Sequence, residues 1–241
     1  MLNLLISITA SIFTTALMLR FATDSTWIAM AVSTLVFLAI FILITRVVMK
    51  KVGVLMQSAQ KDVLANRGDR AIKSLQEGMK YGTWQFYVKP QINSQIGSIH
   101  YLKREFNEAL PYLEKGFVRN WVSMAMLGIS YMKKNKRNKM HATFDKAMTG
   151  NRKEPMIYAL YAYCLDQIGE RNKAIEVLQK GIKKTGGDER LSENVALLEA
   201  GKKMKMRGFG DAWYQFHLEK QGAIIKKQTK ALTGRRKQVL R

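Results

Sequence analysis

The stretch IGSIHYLKREFNEALPYLEKGF, residues 96–117, decides how the rest of the chain is read. It sets a small residue, Gly97, twelve positions before Ala109, and places Leu113 one helical turn beyond that alanine. The same frame returns at Gly128, Met140 and Phe144, and again at Ala162, Ala174 and Leu178. A degenerate copy precedes these at Ala59, Ala71 and Leu75, and a further one is expected at Ala200, Ala212 and Phe216. Copies lie 31 to 38 residues apart, the range of two-helix repeats. Polar turns separate the halves of the three clearest copies: LKREFN, MKKNKRN and QIGERN. The reason for the pattern is steric. Two antiparallel helices cross closely where one contributes a small residue and the other sets an alanine against it. The large residue one turn later then packs on the next hairpin.

This frame resembles the tetratricopeptide repeat (TPR), a helix–turn–helix unit. Gly97 and Gly128 match its small first-helix position, and His100 and Tyr131 sit where the family prefers tyrosine. Ala109 and Ala174 match the second-helix alanine, Phe144 the large aromatic, Ala147 the closing small residue, and Pro155 falls near the terminal proline. Met140 in place of alanine and Ala162 in place of glycine depart from the pattern. The resemblance spans roughly residues 55–220 and is clearest over 90–185. It implies an all-α solenoid whose first helices line a groove for a partner's peptide. In that frame Ser94, Ser98 and Tyr101 turn inward, followed by Ala125, Ile129 and Met132, then Ala159, Tyr163 and Asp166. Ser98, Tyr101, Ile129, Met132, Tyr163 and Asp166 are therefore the expected partner-binding residues. Relatives that clamp a chaperone's terminal carboxylate present Lys and Asn there. These side chains are mostly apolar and better suit an apolar segment of a partner. Packing between neighbouring first helices would explain the same residues.

Two uncharged runs open the chain, Met1 to Leu19 and Ser25 to Thr45. Each is near the roughly 20 residues that cross a bilayer core of about 30 Å as a helix. TWIAMAVSTLVFLAIFILIT, residues 26–45, has no polar face for a soluble helix to expose. Its rivals are a buried hairpin in a soluble domain and, for the first run alone, a cleaved signal peptide. A signal peptide carries a positively charged leading region, which the first run lacks. Arg46, Lys50, Lys51 and Lys61 follow the second run, so both ends are expected in the cytoplasm, with a bacterial inner membrane as the setting by family analogy.

The chain holds 40 Lys+Arg against 18 Asp+Glu, a net charge of +22 that calls for an anionic partner. The basic surface is read at Lys133, Lys134, Lys136 and Arg137 in one turn, in KKMKMR at 202–207, and at Lys226, Lys227, Arg235, Arg236 and Lys237 near the end. An anionic lipid surface or acidic protein suits it better than nucleic acid, because aromatics are not interleaved with the basic runs.

Catalytic chemistry is not legible. YGTW, GFGD and TGGDER lack the strand-to-helix setting and the Lys-Ser/Thr of a phosphate loop. His100, His141 and His217 lack metal-ligand spacing, and Cys164 falls in the apolar run YALYAYCLDQIG. No catalytic residue, metal, cofactor or small-molecule substrate is expected. The expected organisation is two transmembrane helices within 1–46 (about 2–19 and 26–45), then a linker helix and degenerate repeat over 47–89. Clear TPR-like repeats follow over 90–185, then a further repeat or capping helices over 186–219, and a basic tail over 220–241. The expected function is a membrane-anchored TPR scaffold or assembly subunit that recruits other protein subunits. The alternative is a membrane tether for nucleic acid that uses the basic surface and tail.

Overall fold

The computed structural model describes residues 1–22 and 24–219, and all regular structure among them is helical. The chain divides into two compact units, Met1–Leu127 and a second beginning at Gly128. The division falls inside a helix, Trp121–Lys133. Where each hairpin packs chiefly on its neighbours in sequence, no internal border is privileged.

The first unit opens with α1 (Leu2–Phe21) and α2 (Thr26–Leu64). Both are long and apolar enough to cross a membrane. Their seam is small or polar: Asn3 and Ser7 of α1 and Ala29 and Ser33 of α2 are buried. Ser11 Oγ donates to the Ser33 carbonyl at 3.1 Å, and Asn3 Nδ2 donates to Thr45 Oγ1 at 2.9 Å. Thr9, Thr14 and Thr15 bond back to carbonyls one turn earlier, which satisfies their hydroxyls within α1. The outer faces instead expose Leu5, Ile12, Phe13, Leu35, Ile42 and Leu43. A water-soluble hairpin has the reverse arrangement.

The expected boundary at residue 46 is absent. Arg46, Lys50 and Lys51 end the hydrophobic run but not the helix, which continues to Leu64 as a rod of 39 residues, about 58 Å long. Apolar side chains continue at helical spacing, and Val48, Val52 and Ala59 are buried with Ala71, Ile72, Leu75, Ile92 and Ile96 in the core of this unit. The remaining elements are α3 (Gly68–Gly78), a short 3-10 helix (Met79–Thr83), α4 (Val88–Leu102), α5 (Phe106–Glu114) and the start of α6 (Trp121–Lys133). The second unit continues with α7 (Arg137–Gly150), α8 (Pro155–Gln167), α9 (Arg171–Thr185), α10 (Glu189–Glu199) and a kinked 3-10 segment (Met206–Phe216).

The frame read from the sequence corresponds to four helical hairpins: α2/α3, α4/α5, α6/α7 and α8/α9. Each turn is closed by the same backbone bonds. Seven residues after the small first-helix position comes a residue with positive φ: Asn66, Arg104, Asn135 and Gly169. The next amide donates to the carbonyl five residues back, from Arg67 to Asp62 at 2.8 Å and from Glu105 to His100, Lys136 to Tyr131 and Glu170 to Leu165 at 2.9 Å. That is the Schellman closure of a helix end, and the left-handed residue makes it possible. The second helix begins at once, with Ala71, Ala109, Met140 and Ala174 donating to the carbonyls of Arg67, Glu105, Lys136 and Glu170.

The crossings are tight. A Cβ on Gly97 would stand 2.8 Å from Leu113, and one on Gly128 would stand 2.5 Å from Phe144. A second close approach lies nineteen residues beyond each small first-helix residue, at Gly78, Gly116, Ala147 and Gly181. A Cβ on Gly181 would meet Tyr158 and Leu191, and one on Gly78 would overlap Leu55. Between the first two hairpins Lys103 Nζ bridges Asp69 at 2.7 Å and Glu105 at 2.6 Å. The Lys103 ammonium, by donating to both carboxyls, holds them below their ordinary values. This pair of bonds is solvent-exposed and fixes geometry more than it adds stability.

The expected fifth copy at Ala200, Ala212 and Phe216 is corrected. Ala200 and Ala212 are exposed, and the fifth turn instead carries its left-handed residue at Gly201, which puts Asn194 in the small-residue position. Lys202 N donates to the Leu197 carbonyl at 2.8 Å, repeating the closure. No second α-helix follows among the described residues. The Asn194 side chain accepts from Lys205 N at 2.6 Å, the bond a helical carbonyl would otherwise take, and Gly210 at φ 69° kinks the 3-10 segment beyond.

Two substitutions test this construction. Gly128→Leu should lower stability by about 1–3 kcal/mol through overpacking against Phe144, read as a lower melting temperature of the full chain in detergent. An unchanged melting temperature would remove Gly128 from a packed crossing. Arg104 is the one long side chain among the four left-handed turn residues. Arg104→Gly should therefore stabilise by several tenths to about 1 kcal/mol, whereas Gly169→Ala should destabilise by about the same amount. Shifts of the same sign would argue against a common turn geometry.

Candidate functional site

The expected groove residues do not share one character. Tyr101, on α4, is fully buried, with its ring edge-on to Phe106 at 5.1 Å between centroids. Ile129, on α6, is also fully buried. Both are corrected from groove lining to core: a large side chain on the inner face of a closely crossed first helix fills the interior rather than a recess. Ser98 and Met132 are half-buried. Tyr163 and Asp166 are half-buried on α8, where they line a cleft of the second unit.

That cleft has a volume of about 580 Å³. Tyr163, Asp166 and Gln167 come from one helical face, and Leu197 from α10. The segment after the fifth turn supplies Lys202, Lys203 and Lys205, and the 3-10 segment supplies Arg207 and Trp213. The absence of a second helix creates this arrangement: residues 202–205 run without regular structure, and the kink at Gly210 returns Trp213 to Tyr163, ring centroids 5.0 Å apart at 73°. Burial raises the Tyr163 phenol above its ordinary pKa, so the tyrosine is neutral at physiological pH.

The acids of the cleft are already engaged. Asp166 accepts from Arg171 Nε at 3.0 Å, so its carboxylate anchors the turn into α9. Glu219 accepts from Trp213 Nε1 at 3.0 Å and pairs with Arg207 at 3.4 Å. Lys205 pairs with Glu193 at 2.7 Å. Lys202 and Lys203 are exposed and have no acidic partner among the described residues. An aromatic wall with two uncompensated ammonium groups at its mouth fits an anionic segment with an apolar or aromatic anchor. KKMKMR was legible as a basic run; Trp213, Leu197 and Glu219 were not. The available signal was GFGDAWYQF, residues 208–216, whose glycines stop a helix beside a tryptophan.

The second basic feature lies in the turn between α6 and α7. Lys133, Lys134, Lys136 and Arg137 are all exposed there, and Asn135 to Lys139 outline a shallow hollow of about 440 Å³. Lys133 Nζ donates to the His217 carbonyl at 3.3 Å, and Lys139 lies over the Tyr131 ring. Lys226, Lys227, Arg235, Arg236 and Lys237, with the whole stretch 220–241, lie outside the described residues.

The remaining reactive side chains have structural roles. His100 Nδ1 meets Glu105 at 2.7 Å and stacks on Tyr112. His141 Nδ1 meets the Tyr161 hydroxyl at 2.9 Å. Cys164 is buried, and burial pushes its thiol far above the usual cysteine range, so no thiolate forms at neutral pH. No cluster of three or more His, Cys, Asp or Glu able to hold a metal occurs among the described residues. No family model, curated protein or solved structure matches this chain.

Proposed function

We propose that this chain is a membrane-anchored scaffold of TPR-like hairpins that recruits a protein partner at the cytoplasmic face of a membrane, a bacterial inner membrane by analogy. One observation carries the reading. A helix pair with its polar seam inside and its apolar faces outside leads, through the unbroken α2, into the repeated hairpins. A pair built that way is stable with hydrocarbon around it, and α2 gives the hairpins a rigid support. Arg46, Lys50 and Lys51 just beyond the apolar span favour a cytoplasmic location for everything after it. The cleft of Tyr163, Trp213, Lys202 and Lys203 is the docking surface in this reading, and its occupant is an acidic segment of a protein subunit. In this reading an anionic lipid surface attracts the other exposed basic side chains, at about 1 kcal/mol for each one near it. The reading includes no catalytic step, cofactor or small-molecule substrate.

Orientation is tested by reporter fusions after Gly150 and after Arg241, both expected to report cytoplasm; an external signal from either would overturn it. Docking is tested by replacing Lys202 and Lys203 with Glu and Tyr163 with Ala in the full chain. Co-purification in mild detergent should lose one identified acidic protein while the melting temperature holds. Titration of the unaltered chain with labelled DNA and RNA at moderate salt should show no binding. Tight nucleic-acid binding, steeply weakened by salt, together with an unaffected protein set would establish the tether instead.

A further inference from the structure

The aromatic segment YGTWQFYVKP, residues 81–90, folds back against α2 just where its apolar span ends. Gln85 Nε2 donates to Thr45 Oγ1 at 2.6 Å, and the same hydroxyl accepts from Asn3 of α1 at 2.9 Å. These bonds fix the segment at one height along the helix pair. Tyr81 and Trp84 then face α2 across a cavity of about 360 Å³ whose other walls are Leu43, Ile44, Val47, Val48 and Lys51. The lining follows one stripe of α2 over eight residues, a rise of about 12 Å. Its Leu43 end lies within the apolar span, and Lys51 stands at its other end. Phe86 and Tyr87 flank the cavity, 62% and 56% exposed.

Resting on the membrane-anchored reading above, we infer that this cavity is a binding site for one acyl chain of an anionic phospholipid whose headgroup phosphate pairs with Lys51. The walls offer no polar partner to the chain, so a hydrocarbon tail satisfies them and a polar ligand would not. Charge decides the headgroup. Lys51 is the cation of the lining, and on the same helix Lys50 beside it and Arg46, about 7.5 Å nearer the apolar span, are exposed. Trp84 and Tyr81 are ring types that favour the depth where tails meet headgroups. The volume lies within the roughly 300–1,000 Å³ of ligand sites. Exposed Phe86 and Tyr87 would enter the same boundary layer, so the segment also grips the bilayer surface.

The test uses the full chain in phosphatidylcholine vesicles doped with phosphatidylglycerol brominated along its acyl chains. Bromine quenches tryptophan on contact, and the Trp84 signal is isolated as the difference between the chain and its Trp84→Phe variant. Quenching of Trp84 should saturate at a few mole per cent of brominated phosphatidylglycerol and not with brominated phosphatidylcholine at the same fraction. Lys51→Glu should raise the half-saturating fraction about tenfold or more, and Val47→Phe, which fills the cavity, should abolish saturation. Trp27, 80% exposed at the start of α2, is the internal control. Quenching of Trp27 with non-saturating, headgroup-blind quenching of Trp84 would overturn the lipid site alone. No quenching of Trp27 at any lipid fraction would overturn the membrane-anchored reading. Displacement by soluble glycerol phosphate would show a phosphate site without an acyl chain and would also overturn the inference.

Discussion

Two helices can approach to the limit of their backbones only where one of them presents almost no side chain, and this fold depends on that limit. At Gly128 the ring of Phe144 occupies the space a Cβ would need, and Gly97 meets Leu113 in the same way. Such an approach requires the turn between the helices to end at a fixed place. The left-handed residue and the five-residue backbone bond after it supply that constraint four times, at the same offset from the small residue. Crossing and turn determine each other: a crossing shifted by one residue would bring a side chain of the wrong size to the contact.

The last turn shows what happens when half of the constraint is kept. Gly201 closes the helix end as before, but Asn194 occupies the crossing position and uses its amide to hold Lys205. An extended segment has replaced a helix, and a hollow is left where a second helix would have packed. The cleft walled by Tyr163 and Trp213 is thus a consequence of an unfinished repeat. A capping helix there would have covered the α8 face; the irregular segment leaves it accessible and surrounds it with lysines.

The hairpins were legible because small residues recur at a fixed spacing and the turns between them are polar. The closing glycines at 78, 116 and 181 obey the same offset as Ala147, and a glycine so placed is hard to tell from a turn glycine without the crossing geometry. Three other features had no local signal. Hydropathy records where a helix leaves hydrocarbon, not where it stops, so Arg46 suggested an end that Leu64 provides. Asn194 is neither small nor apolar, so the small-residue pattern points instead to Ala200, six residues late. Tyr101 and Ile129 occupy frame positions whose direction depends on the packing around them, and a repeat template cannot distinguish a lining residue from a filling one.

The unbroken α2 also sets an angular relation. Each residue of an α-helix advances about 1.5 Å and turns about 100°. The face that meets α1 in the apolar span and the face that meets α3 and α4 beyond it are therefore locked in phase along one rod. A linker of loop would let the hairpins swivel about the axis of α2; a helix does not. Insertion or loss of one residue between Thr45 and Val52 would turn the hairpins of the first unit through more than a quarter of a circle relative to α1, with hardly any change in height. Whatever meets the exposed apolar faces of α1 and α2 thus fixes the compass bearing of the first-unit hairpins that pack on α2.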